Sequence, residues 1–69
     1  MHQKLSEIIR ERRSMLHLTQ EDLAALAGVG LRTLKALEVG KGNPSLDTLQ
    51  RLAEVLGMEV RLEVKRIDR

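Results

Sequence analysis

Arg32, Lys35 and Ala36 fall within the stretch LRTLKALE, and a helical advance of about 100° per residue turns all three away from Leu34 and Leu37. A guanidinium and an ammonium on one exposed helix face donate hydrogen bonds to fixed acceptors. Arg32 can give guanine O6 and N7 two parallel bonds, Lys35 can reach a base or a phosphate, and the small Ala36 permits close approach. Leu31, at the flank, offers apolar surface to a thymine methyl. Alone, such charges would merely solvate a helix, so their meaning depends on what surrounds them.

Residue types suited to catalysis are sparse. His2 and His17 are the only histidines, cysteine is absent, and neither Ser6 nor Ser14 belongs to a triad-like arrangement. Gly28-Val29-Gly30 is not a dinucleotide fingerprint, because Thr33 stands at the third glycine position and no strand precedes it. Gly40-Lys41-Gly42 lacks phosphate-loop spacing. His2 reads as a terminal, solvated residue. No enzyme, cofactor or metal is expected.

Composition narrows the partner. With no Cys there is no disulfide framework and no Cys-based zinc site, which fits a reducing cytoplasm. Apolar runs are too short to span a bilayer, and Met1-His2-Gln3-Lys4 is not followed by a signal-type stretch. A cytoplasmic protein with no membrane association is expected. The formal net charge is only +2, but residues 30–42 carry Arg32, Lys35 and Lys41 against Glu38. That segment is locally basic, as a phosphate-facing element should be. The absence of Phe, Trp and Tyr removes the stacking platforms of most single-strand and RNA binders, leaving duplex DNA.

The elements that must position these residues follow from periodicity and caps. Leu5, Ile8, Ile9, Met15 and Leu16 predict helix one, with the Arg12 stem filling a gap in the stripe. Thr19 reads as the N-cap of helix two, with Asp22 three residues on, and Gly28 as its end. Helix three starts after Gly30 and stops at Gly40. Ser45 caps helix four, whose stripe is Leu46, Leu49, Leu52, Ala53 and Leu56, ending at Gly57. Between Thr19 and Glu38, the small residues Ala24, Ala27 and Gly28 allow close helix crossing, while Leu23, Leu26, Val29, Leu34 and Leu37 are expected to face a shared core. This is a helix-turn-helix pattern.

After Gly57 the period changes to strict alternation: Met58, Val60, Leu62 and Val64 on one face, Glu59, Arg61, Glu63 and Lys65 on the other. A lone strand in a helical chain has no internal partner for its backbone groups. Pairing with a second copy across a two-fold axis would satisfy the ladder, cover residues such as Val55 and enlarge the small core that 69 residues allow. A frayed amphipathic helix or tail is the plainer alternative. The expected fold is therefore mainly α, four helices plus a C-terminal β-strand pairing across a homodimer. Residues 1–57 form the DNA-binding domain, with the helix-turn-helix at 19–38, and residues 58–69 the dimerisation strand.

The segments RRSMLHLTQEDLAALAGV and RTLKALEVGKGNPSLDTLQRLAEVLG resemble the Xre-type family of helix-turn-helix regulators, which includes the lambdoid phage repressors. The resemblance implies a lambda-repressor-like domain that binds an operator. It places Leu31, Arg32 and Ala36 at base-contact positions. Phosphate contact is implied for Gln20, Thr33, Lys41 and Asn43, and Thr19 beside Gln20 is grouped with them; Gln20 is also implied to steady helix three. Arg13 and Glu38 match a pair that forms an internal salt bridge. Where many relatives carry Gly, this chain has His17, which must tolerate a left-handed backbone. The closing GMEVRLEVKR resembles the HipB-type antitoxins, which implies autorepression at a palindromic operator and a HipA-like kinase toxin as partner. A stand-alone repressor, and an interaction module that sequesters a partner without reading DNA, remain open alternatives.

Overall fold

The structure, a computed structural model, describes residues 4–65. His2, the first three residues of the N-terminal stretch and positions 66–69 of the expected strand lie outside the described residues. Four helices follow one another: α1 (Leu5–Met15), α2 (Gln20–Ala27), α3 (Leu31–Glu38) and α4 (Leu46–Val55). Thr19 opens α2 with a reciprocal capping box, its hydroxyl accepting from the Asp22 N–H while its own N–H donates to the Asp22 carboxylate. Ser45 accepts from the Thr48 N–H at the start of α4.

All four helices close in the same way. The residue after the last turn adopts positive φ, and the next N–H reaches back to a carbonyl five residues earlier: Leu18 to Arg13, Val29 to Ala24, Lys41 to Ala36 and Met58 to Ala53. Gly28, Gly40 and Gly57 supply the left-handed residue in three cases, and His17, at φ 59°, in the fourth. The side chain at His17 therefore carries a conformational cost that glycine would avoid.

The core comprises Ile9, Leu23, Ala24, Ala27, Leu34, Leu37, Leu52 and Leu56, with Val29, Leu31, Leu49 and Val55 packed against it. α2 contacts both α3 and α4, and α1 contacts α3. Leu26, expected in the core, is 63% exposed. On α2 the buried face is set by Leu23, Ala27 and Ala24, at about 0°, 40° and 100° around the axis. Leu26, at about 300°, lies off its edge.

The expected stripe of α1 is also shorter than the periodicity implies. Ile9 is buried and Ile8 half-buried, whereas Leu5, Met15 and Leu16 are exposed. Beyond Ile9, the contacts of α1 with the rest of the fold pass to arginines. Arg12 Nε donates to the Leu56 carbonyl at 2.7 Å, closing the C-terminus of α4, and Arg13 reaches α3. Leu46, in the first turn of α4, is exposed too.

Residues 58–65 adopt no regular secondary structure, in place of the expected strand. A strand is defined by its ladder, and no second backbone lies alongside this one in the single chain.

Candidate nucleic-acid interface

α3 is held at its C-terminal end by α1. Arg13 grips Glu38 through two parallel bonds, Nε to Oε2 at 2.7 Å and Nη2 to Oε1 at 2.9 Å. A third donor, Gln20 Nε2, reaches Glu38 Oε1 at 3.0 Å. One turn earlier on α1, Arg10 Nη1 donates to the Glu38 backbone carbonyl at 2.9 Å. Glu38 is 1% exposed, so its charge is removed from water and satisfied by fixed donors. The carboxylate in turn raises the Arg13 guanidinium above its ordinary value, chiefly through their hydrogen bond and against the opposing effect of burial.

This arrangement has an electrostatic consequence for the outer face. With Glu38 buried and matched by Arg13, the charges that residues 30–42 present to solvent are Arg32, Lys35 and Lys41, all exposed. Arg32, Thr33, Ala36, Lys41 and Asn43 come together around one open recess of about 290 Å³, which Leu37, Gly42 and Pro44 also line. Lys35 is exposed on the same helix but does not line the recess. Leu31 is half-buried against the core, so only part of its side chain is free.

Thr19 and Gln20 stand at the start of α2. The Thr19 side-chain oxygen is engaged as the cap acceptor and its hydroxyl also faces the Asp22 carboxylate, while the Gln20 amide is oriented by Glu38. The resemblance implies that Gln20 steadies helix three, and Glu38 is the group through which it does so, a partner that no local pattern identifies. Lys4 carries no such pointer in the sequence either. It lines a second recess with Lys41 and Asn43, extending the positive surface past the loop to the start of α1. The Arg12 link to Leu56 likewise has no local sequence signal beyond a cation in an apolar stripe. Among the described residues no group of three or more His, Cys, Asp or Glu is arranged to hold a metal, and no helix is long and apolar enough to cross a membrane.

Of the residues expected at a dimer interface, Val55 packs on the chain's own core. Met58 and Val60 border a groove of about 300 Å³ whose apolar lining includes Leu5, Ile8, Ile9, Leu49 and Ala53. Leu62 and Val64 stand free in solvent.

Comparison with known proteins agrees with this architecture. An HTH-type transcriptional regulator of Methanothermobacter thermautotrophicus is 50% identical over 52 residues, which is 75% of each chain. The crystal structure of the restriction-modification controller protein C.AhdI from Aeromonas hydrophila superposes with a TM-score of 0.78 at 36% identity, covering 81% of this chain and 85% of the controller. Hydroxypropylphosphonic acid epoxidase from S. wedmorenis also matches, with a TM-score of 0.71 and 33% identity, but over only 30% of its own chain. That likeness is to a fragment of the enzyme. Residues 9–62 match the helix-turn-helix family, and with a half-identical regulator beside that match, the chain belongs to the Xre-like helix-turn-helix family of transcriptional regulators.

Proposed function

We propose that this chain is a homodimeric, sequence-specific regulator that binds a palindromic operator in duplex DNA and represses the promoter it occupies. The observation that carries the reading is the convergence of Arg32, Thr33, Ala36, Lys41 and Asn43 on one open, positively charged recess. In this reading Arg32, Lys35, Ala36 and the free part of Leu31 read base edges in the major groove. Thr19, Gln20, Thr33, Lys41 and Asn43 hold phosphates and set the register. Residues 58–69 bring two copies together through Met58, Val60, Leu62 and Val64, with Val55 behind them. The two α3 helices then meet half-sites about 34 Å apart.

A stand-alone regulator is favoured over a toxin-bound one. The controller protein that this chain resembles is matched over 85% of its length, which supports a regulator reading that needs no toxin. The antitoxin reading, with a HipA-like kinase as partner in the cytoplasm, has only the resemblance of GMEVRLEVKR behind it. Co-purification of such a kinase from the native host would restore that reading.

The central test is a mobility-shift titration on DNA upstream of the chain's own gene, comparing wild type with Arg32→Ala. Loss of one two-pronged base contact per half-site is expected to weaken specific binding at least tenfold, by about 1–3 kcal/mol per contact, while non-specific binding persists. A variant with unchanged sequence preference would overturn the assignment of Arg32. Failure of the wild type to retard any duplex would favour the interaction-module alternative.

A further inference from the structure

Residues 58–65 divide into a first part whose apolar side chains rest partly against the chain and a second part whose apolar side chains do not. Met58 and Val60 lie along the groove between α1 and α4 and are 39% and 42% exposed, whereas Leu62 and Val64 are 100% and 97% exposed. Glu59, Arg61, Glu63 and Lys65 interleave with them, alternating in sign. Arg61 Nη1 lies 3.6 Å from Glu59 Oε1, which places these two charges on a common side.

We propose that residues 58–65 of two copies pair antiparallel about a two-fold axis passing through Leu62, a register selected by these charges. The inference rests on the dimer reading above and adds to it the alignment of the strands. In an antiparallel pair, residues directly opposite share a face, so an axis between residues would set apolar side chains against charged ones. Only axes through a residue remain.

An axis at Arg61 opposes Arg61 with itself and Glu59 with Glu63. An axis at Glu63 opposes Glu63 with itself and Arg61 with Lys65. Both registers juxtapose like charges, which destabilises a ladder. An axis at Val60 matches Glu59 with Arg61 but leaves Glu63 facing Gly57, and one at Val64 matches Glu63 with Lys65 but leaves Glu59 and Arg61 without an opposite charge within the segment. An axis at Leu62 matches every charge from 59 to 65: Arg61 stands opposite the partner's Glu63, and Glu59 opposite the partner's Lys65, each pair occurring twice by symmetry, while Met58 falls opposite position 66 of the second copy at the outer end of the ladder. On the other face Leu62 meets its own copy and Val60 meets the partner's Val64, so the two most exposed apolar residues of the segment are the ones the second copy covers. The same charge order disfavours pairing with a strand of different sign pattern and makes the interface selective for this chain.

Because the sequence contains no cysteine, a single introduced thiol reports the register directly. Under oxidised glutathione, Leu62→Cys is expected to form a disulfide-linked dimer, since opposite Cα atoms lie about 4.5–5.5 Å apart. Val60→Cys alone should not, its counterpart being about 13 Å away along the ladder, whereas a mixture of Val60→Cys and Val64→Cys chains should cross-link. Charge exchange provides an independent arm: Arg61→Glu or Glu63→Arg alone is expected to weaken self-association roughly tenfold, and mixing the two variants to yield heterodimers with every pair complementary. Cross-linking strongest at position 60, or equal at 60, 62 and 64, overturns the register while leaving a dimer in place. Sedimentation showing single copies of the wild type at every concentration overturns the dimer reading, and the register with it.

Discussion

Glu38 sits at the meeting point of three helices. Arg13 from α1 and Gln20 from α2 both donate to its carboxylate, and the group is almost wholly removed from solvent. The two sides of the Arg13–Glu38 bridge are not equivalent, because the Arg13 side chain is 19% exposed and also donates to the Leu18 carbonyl, whereas the Glu38 side chain is 2% exposed. Arg13→Met would strand a buried carboxylate with one amide donor, and should cost about 3 kcal/mol in a urea unfolding titration. Glu38→Met leaves a guanidinium that keeps one carbonyl partner and some water, so a smaller loss is expected. The double variant Arg13→Met with Glu38→Met should be more stable than Arg13→Met alone, because no buried charge remains unmatched. The order of the three unfolding midpoints checks the argument, and a double variant less stable than both single variants would contradict it.

At the level of elements, what was legible in the sequence depended on whether the responsible force is local. Caps are local: Thr19, Asp22 and Ser45 are legible because the cap and its N–H partner lie within one turn, whereas the left-handed backbone at His17 is legible only through the family resemblance, in which glycine is common at that position. Leu26 and the ends of α1 were misread because an apolar spacing identifies a stripe without saying where its centre falls, and in α2 small alanines moved that centre away from Leu26. The Arg12, Arg13 and Gln20 links cross between helices: family resemblance implies the Arg13–Glu38 pair and the support of α3 by Gln20 without its partner, whereas the Arg12–Leu56 link has no such pointer. Residues 58–65 present the opposite case, a clear alternation whose outcome requires a second backbone.

The α2 cap also carries a pH dependence. Hydrogen bonds with Thr19, first to its backbone and then to its side chain, hold the Asp22 carboxyl below its ordinary value of 3.8. A depressed carboxyl contributes stability that is fully present above the unfolded value and is lost as the pH falls through the lower folded one. The stability gap between wild type and Asp22→Asn should therefore be constant from neutrality to about pH 5 and narrow below 3.8, as read from urea midpoints across that range. A gap that widened on acidification would reverse the assigned sign.

For the whole molecule, the distribution of charge matters more than its sum. A net charge of +2 would steer DNA weakly if it were spread evenly. The fold instead buries Glu38 against Arg13 and lets Lys4, Arg32, Lys35 and Lys41 define the surface around the loop that follows α3. If that surface meets phosphates in two copies at once, every contact is counted twice in the ion release that accompanies binding. Plotted as log affinity against log salt, wild-type binding should fall steeply, and Lys41→Ala should lower the slope by about two, one contact from each half-site. Its sequence preference should be preserved, since a phosphate contact positions the protein without reading bases. Comparison with Arg32→Ala in the same titration separates the two roles: one variant changes which duplex is chosen, and the other changes how strongly salt competes for any duplex. A Lys41→Ala slope lower by only one would mean that a single half-site is engaged, and would count against simultaneous binding by two copies.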